Sequence, residues 1–289
     1  MAPRATLIGL TAVLMWSFLS LLTVVSGEVP PFQLAAMAFA IGGALGVLPL
    51  MRGNLKVLRQ PVAVWTLGVV GLFGYHALYF LALRLAPPAE AQLVNYLWPL
   101  LIVLFAALLP GERLRLHHVA GVLLGLAGTV LLFVDRGGTT FALAYLPGFA
   151  AAFGAAIAWA TYSVLSRLFA AVPTAAVAGF CLATAVLSGA CHLIFEDTRW
   201  PASAVQWLAV VALGIGPVGA AFYAWDIGVK RGDIRVLGAA SYAAPLLSTG
   251  YLVLAGYATA GLALAGAALL ISAGGLLAAK DMFVTARRS

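Results

Sequence analysis

Charge is what this chain has least of. Sixteen Lys and Arg and nine Asp and Glu make up 9% of its 289 residues, against 64% that are hydrophobic. A water-soluble protein carries about a quarter charged residues, and so few charges cannot solvate a surface of this size. An ordinary soluble domain is excluded, and most of the outside must face lipid. Cysteine is almost as scarce. Cys181 and Cys191 fall inside one apolar run ten residues apart, roughly 280° around a helix, which suggests neither a bridge nor a metal site. Metal-ligand clusters, phosphate-cradling glycine loops and nucleophile elbows are missing from the sequence. No cofactor or metal is therefore expected, and an enzyme would have to be built from Glu196, Asp197 and His192 near one membrane surface. The net charge of +7 does not point to nucleic acid, because the basic residues fall singly or in small groups between apolar runs, where they orient a chain in the bilayer.

Long apolar runs are what the chain has instead. A membrane-crossing helix needs about 20 apolar residues, and charged or proline-bearing breaks divide the sequence into ten such runs: Leu7 to Ser26, Phe32 to Met51, Val62 to Leu83, Ala89 to Leu109, His117 to Val134, Leu146 to Ala170, Thr174 to Phe195, Ala204 to Val229, Val236 to Ala255 and Ala260 to Ala279. The reading is an all-α polytopic membrane protein whose short connections leave no sizeable domain outside the lipid. The first run also resembles a signal peptide, with Arg4 as a basic start and Val25, Ser26 and Gly27 as a small-residue end. Its length and its counterpart later in the chain favour a helix that stays. An even number of spans places both termini on one side. With them in the cytoplasm, Arg4, Arg52, Lys56, Arg59, Arg113, Arg115, Arg167, Lys230, Arg231, Arg235, Lys280, Arg287 and Arg288 lie inside. Only Arg84, Arg136 and Arg199 lie outside, beside Glu28, Glu90, Asp135, Glu196 and Asp197. Thirteen basic residues against three predict cytoplasmic termini.

The chain also repeats itself at a shift of about 143 to 146 residues. Trp16 and Pro30 are fourteen apart, as are Trp159 and Pro173, and the segment from Asn95 to Leu101 lies over that from Ser241 to Leu247. The predicted units are residues 1–140 and 141–289, five helices each. An odd number of spans per unit makes the second copy enter the membrane from the opposite side. The loops agree: Arg52, Lys56 and Arg59 lie inside, and their counterparts around Glu196, Asp197 and Arg199 lie outside. Inverted repeats of this kind characterise secondary transporters; the alternative is an old duplication in a channel or a structural membrane protein.

Ala82-Leu83-Arg84, the stretch from Gln92 to Pro99, and Leu109-Pro110-Gly111-Glu112-Arg113 followed by Gly121, Gly125 and Gly128 together resemble the EamA-like branch of the drug/metabolite transporter superfamily. Within it, Tyr75, His76, Tyr79, Tyr96 and Trp98, with Trp16 and Trp159, resemble the bacterial aromatic amino acid exporters. The resemblance implies ten helices around a central cavity in the inner membrane. It also implies export of Phe, Tyr, Trp and some flat aromatic cations such as methyl viologen from the cytoplasm. The second half departs from the pattern: Ala243 and Ala244 stand where the first has Leu97 and Trp98, and Ala258 where it has Glu112.

Polar and aromatic residues inside the runs are the candidate site. No charged residue sits in the middle of a span; Glu90, Arg167 and Asp226 are all near an end. The cargo is accordingly neutral overall, a zwitterion, or a flat cation held by rings. Tyr75 and Tyr79 lie one turn apart on one face, with His76 a step round, as a polar handle or a proton-coupling group; the alternative for His76 is structural glue on a neighbouring carbonyl. Pro99 and Pro245 free the carbonyls of Asn95 and Ser241 at matching places, marking a site and a hinge, or kinks that only shape packing. Trp16, Tyr96, Trp98, Trp159, Tyr162, Tyr223, Trp225 and Tyr242 add rings, while Trp65, Trp200 and Trp207 fit an interfacial belt. The expected cargo-binding set is Trp16, Tyr75, His76, Tyr79, Asn95, Tyr96, Trp98, Trp159, Tyr162, Ser241 and Tyr242. Pro99 and Pro245 are expected hinges, and Asp226, four residues before Lys230, is a pairing and gating candidate. Gly42 with Gly46, and Gly121 with Gly125, are small residues at close helix contacts. The predicted function is export by alternating access, with transport of other small metabolites second and a membrane enzyme third. Monomer and homodimer both stay open.

Overall fold

The computed structural model describes residues 3–51, 55–110, 114–134, 142–256, 261–278 and 280. The expectations that fall on Arg52, Gly111, Glu112, Arg113, Asp135, Arg136, Ala258, Ala260, Ala279, Arg287 and Arg288 lie outside them. Among the described residues there are helices and connections but no strand, as a lipid environment requires of a chain that is not a closed barrel. In chain order the apolar helices are α1 (Pro3–Val25), α2 (Pro31–Leu48), α3 (Val62–Leu85), α4 (Glu90–Ala106), α5 (Leu116–Leu131), α6 (Leu143–Phe169), α7 (Thr174–Phe195), α8 (Ala204–Arg231), α9 (Ile234–Leu254) and α10 (Leu262–Ala278). Seven are long and apolar enough to cross a membrane; α4, α5 and α10 are shorter.

Several helices are interrupted. Helix α4 turns at Tyr96 and Leu97, just ahead of Pro99, and α9 turns at Ser241 and Tyr242, just ahead of Pro245; each proline lacks the amide that would bond four residues back. Single π-helical turns interrupt α3 at Val70–Gly74 and α8 at Gly216–Ala220, starting 146 residues apart. A π-turn admits one extra residue and turns carbonyls out of the regular ladder.

The most extensive helix contacts are α5 with α10, α2 with α7, α1 with α8, and α3 with α6, and the second part of α4 lies against the first part of α9. Exchanging the first five helices with the last five maps this set of pairs onto itself. The ends meet in a related way. The amide of Asp233 donates to Thr6 in the first turns of α1 at 2.9 Å, and Arg167 at the end of α6 donates to the carbonyls of Val229 and Gly232 at 2.9 and 3.0 Å. The beginning of α1 and the end of α6 thus reach one connection, on what we term the proximal side. On the distal side, Glu196 after α7 accepts from the Phe32 and Gln33 amides at the start of α2, at 3.0 and 3.1 Å. A carboxylate there satisfies helix N-terminal donors.

Small residues allow the closest crossings. A Cβ on Gly228 would lie 2.6 Å from the Cα of Gly9, joining α8 to α1, and one on Gly121 would lie 2.6 Å from the Gly274 carbonyl, joining α5 to α10. Gly275 has open space where its side chain would be. Gly228→Ala is expected to cost about 1–3 kcal/mol through overpacking, whereas Gly275→Ala should leave the melting temperature in detergent unchanged. Identical melting of the two variants would show that the α1–α8 crossing is not close-packed.

Candidate functional site

Between the helices lies a cavity of about 480 Å³, within the range of small-molecule sites. Its floor is a cluster of indoles. Trp16 sits just before the bend of α1 at Phe18 and has its ring centroid 5.5 Å from Trp159, 6.3 Å from Trp98 and 5.0 Å from Trp225. Its Nε1 donates to the carbonyl of Pro217, inside the α8 π-turn, at 3.0 Å. Trp225 lies beneath, fully buried, and donates to Ser163 Oγ at 3.0 Å.

Helix α3 supplies one wall. Tyr75 and Tyr79 lie parallel with centroids 6.0 Å apart, and Asn95 Nδ2 donates to Tyr75 Oη at 3.1 Å. Tyr79 donates to Gln92 Oε1, so α3 and α4 are tied across two polar pairs. The Asn95 Oδ1 atom is buried without a partner among the described residues. His76 Nδ1 donates to the Leu72 carbonyl at 2.7 Å, inside the α3 π-turn; the carbonyl only accepts, which fixes the proton on Nδ1. The edges of Phe39 and Tyr75, each with its centroid 5.0 Å away, surround the imidazole.

The cavity therefore brings together Trp16, Tyr75, His76, Tyr79, Asn95, Tyr96, Trp98, Trp159 and Pro245 from the predicted set. It leaves out five others. Tyr162 packs below Trp159 at 5.4 Å, its hydroxyl buried and without a partner among the described residues, on the proximal side of the floor. Ser241 Oγ donates to the Leu237 carbonyl in its own helix at 2.7 Å. Tyr242 turns away into a cluster with Val103, Val122 and Ile271. Pro99 is buried where the turn of α4 meets Gly238 of α9. Asp226 pairs with Lys230 at 2.8 Å, accepts from Thr174 at 2.7 Å and lies proximal to the floor. Nor are Glu196 and His192 a free catalytic pair: Glu196 serves the α2 amides, His192 at 3.1 Å and Arg84 at 3.4 Å.

The structure adds Gln92, Phe222, Ser248, Thr249 and Ser20 to the wall. Among the described residues, no Asp, Glu, Lys or Arg lines the cavity. Its lining continues past the floor through Leu19 and Ser20 of α1, Leu83 of α3 and Leu252 of α9, toward the distal ends of the helices. The proximal side is instead closed by the Asp226–Lys230 pair, by Lys230 donating to the Val172 carbonyl at 3.0 Å, and by the Arg167 bonds. At the proximal turn, Asp233 accepts from the Arg235 amide at 3.0 Å and pairs with its guanidinium at 3.1 Å. Burial raises its pKa, but the Arg235 guanidinium and the amides of Arg235 and Val236 outweigh that and hold the carboxyl below the ordinary carboxylate range.

Comparison with known proteins agrees with this architecture. The model of the EamA-like transporter family matches residues 3–134. The aromatic amino acid exporter YddG of Ancylobacter novellus is 63% identical over 95% of this chain and 96% of its own length. The protein of the same name from Salmonella typhimurium is 30% identical over 86% of this chain and 87% of its own. A crystal structure 60% identical in sequence superposes with a TM-score of 0.94, covering 100% of this chain and 99% of that one. A ring-lined cavity enclosed by apolar helices, and similarity over 86–95% of the chain to proteins named exporters, settle the relationship: the chain belongs to the EamA-like transporter family.

Proposed function

We propose that the protein exports aromatic amino acids, and flat aromatic cations, across the bacterial inner membrane by alternating access. The observation that carries this reading is a cavity walled by indole, phenol and imidazole rings, with no charged side chain among the described residues that line it. Rings stack on an aromatic cargo, and their faces attract an ammonium group by about 0.5–2 kcal/mol. The unpartnered Asn95 Oδ1 offers the same ammonium an acceptor. The proteins named aromatic amino acid exporters, similar along nearly the whole chain, support the substrate class.

The architecture of the proposed transporter is ten spans in two inverted repeats, 1–140 and 141–289. The exchange-symmetric helix pairs, the matched π-turns and the meeting of the α1 start with the α6 end support it. The proximal side carries Arg4, Lys56, Arg59, Arg115, Arg167, Lys230, Arg231 and Arg235, which favours its assignment to the cytoplasm. The cavity leads distally, so this is the outward-open state, with Pro99 and Pro245 as hinges and Asp226 in the closed gate.

Proteoliposomes test the function. Preloaded with phenylalanine, they should exchange it for labelled tryptophan or tyrosine but not for glutamate or lysine; no exchange of any aromatic amino acid overturns the proposal. Accessibility tests the state. Ser20 lines the cavity and is exposed, whereas Ser166 is 3% exposed beneath the floor. In a background lacking Cys181 and Cys191, Ser20→Cys should react with a membrane-impermeant maleimide from outside the cell, and Ser166→Cys should react only when the proximal side opens. Equal labelling of both in the empty protein would sink the assignment of state.

A further inference from the structure

The four indoles of the floor are not equivalent. Trp16 donates to the Pro217 carbonyl and Trp225 to Ser163 Oγ, each at 3.0 Å. Trp98 and Trp159 are 6% and 3% exposed, line the cavity, and donate to no acceptor among the described residues. Their ring centroids are 6.3 Å apart and nearly perpendicular, at 88°. Neither Nε1 is among the buried atoms without a partner, so both N–H groups are accessible from the cavity, and a charged acceptor makes a stronger hydrogen bond to them than a neutral one. Two neighbouring donors of this kind, on a floor with no cationic side chain among the described residues, are placed to take an acceptor from the cargo.

We infer that the α-carboxylate of the cargo docks on the indole N–H groups of Trp98 and Trp159. The inference rests on the aromatic amino acid reading and goes beyond it. It makes these two residues readers of the carboxylate as well as ring contacts, and it makes dipoles rather than a Lys or Arg hold that charge. An indole N–H bound to a carboxylate is a charge-assisted hydrogen bond, about twice as strong as a neutral one. Trp16, already bonded within the protein, contributes ring surface only, and Trp225 supports the floor from beneath without lining the cavity. Selection for an amino acid over the corresponding amine therefore originates at two positions.

Tryptophan and tryptamine share the ring and the ammonium group and differ by the carboxylate. Trp98→Phe and Trp159→Phe keep a ring in place and remove the donor. Affinities for both ligands are measured in nanodiscs by competition with labelled phenylalanine. Losses of ring contact fall on both ligands alike, so the tryptophan-to-tryptamine ratio reads the N–H groups. That ratio should exceed tenfold in the wild type and fall about tenfold in each variant, the equivalent of about 1.4 kcal/mol. An unchanged ratio in both variants overturns the inference. Two measurements need no variant. With ¹⁵N-labelled indoles, phenylalanine should shift two of the indole N–H resonances downfield and leave those of Trp16 and Trp225 in place. Wild-type protein that binds tryptamine as tightly as tryptophan would overturn the carboxylate site and leave aromatic transport standing. Wild type that binds neither overturns the functional reading itself.

Discussion

Asp226→Asn is expected to destabilise the protein by about 3–5 kcal/mol, the cost of leaving a buried partner charge uncompensated. The side chains of Asp226 and Lys230 are 2% and 6% exposed, and their charged atoms lie 2.8 Å apart. The second Asp226 oxygen accepts from Thr174 at 2.7 Å, and Lys230 reaches the Val172 carbonyl at 3.0 Å. The pair therefore joins α8 to the start of α7 beneath the cavity floor. An amide at 226 keeps the shape and removes the counter-charge, stranding the Lys230 ammonium. Replacing both, as Asp226→Asn with Lys230→Met, removes the stranded charge and should recover most of the loss, because no buried charge is then left uncompensated and the carboxamide keeps an acceptor for Thr174. Melting in detergent reads the difference: a low value for the single variant and a near wild-type value for the double. If the single variant melts with the wild type, the pair is solvated and does not seal the proximal side.

Trp159→Ala should reduce aromatic amino acid transport at least about tenfold, the sum of one lost stacking partner and one lost ring face for the ammonium group. Trp159 touches Trp16, Tyr75, Trp98, Tyr162, Phe222 and Trp225. Among the described residues, no other ring in the cavity joins the α1, α3, α4 and α8 walls in this way. Its removal also leaves a hole, worth about 3–5 kcal/mol for an aromatic side chain in a core that does not collapse. Insertion must therefore be checked by size-exclusion profile before kinetics are compared. Trp200→Ala is the control, because Trp200 is 63% exposed and stacks on Trp207 away from the cavity. Wild-type transport by Trp159→Ala would remove the floor from the cargo path.

The apolar runs made the helices legible, since nothing but hydrophobic length is needed to place a segment in lipid. The breaks in α4 and α9 were legible too, because Pro99 and Pro245 act on the backbone whatever surrounds them. The π-turn of α3 was not: Val70–Gly74 contains no proline, and the Leu72 carbonyl in the turn is taken up by the His76 side chain of the same helix, a pairing that apolar periodicity does not reveal. In the site, position along a span identified most of the rings, but facing did not follow from the repeat. Tyr96 and Tyr242 occupy corresponding positions, yet Tyr96 lines the cavity while Tyr242 packs beside Val122 and Ile271. A turn that shifts rotation by a fraction of a residue decides this, and sequence spacing does not resolve it. Ser248, Thr249 and Gln92 were missed because small polar residues in membrane helices are common at packing contacts. Ser241 was misleading for the same reason, its hydroxyl being satisfied within its own helix.

A cavity lined without a formal charge has an electrical consequence. Moving one elementary charge through a membrane potential of 100 mV involves about 2.3 kcal/mol. Among the described residues the lining itself contributes none, so in the proposed cycle a voltage dependence would come from the cargo or from charged groups outside the cavity. A zwitterion leaves a negatively polarised cell without electrical opposition, whereas a monovalent cation must climb the full potential difference. Export of a flat cation through the same chamber would thus slow as the cell interior becomes more negative, whereas export of a zwitterion would not.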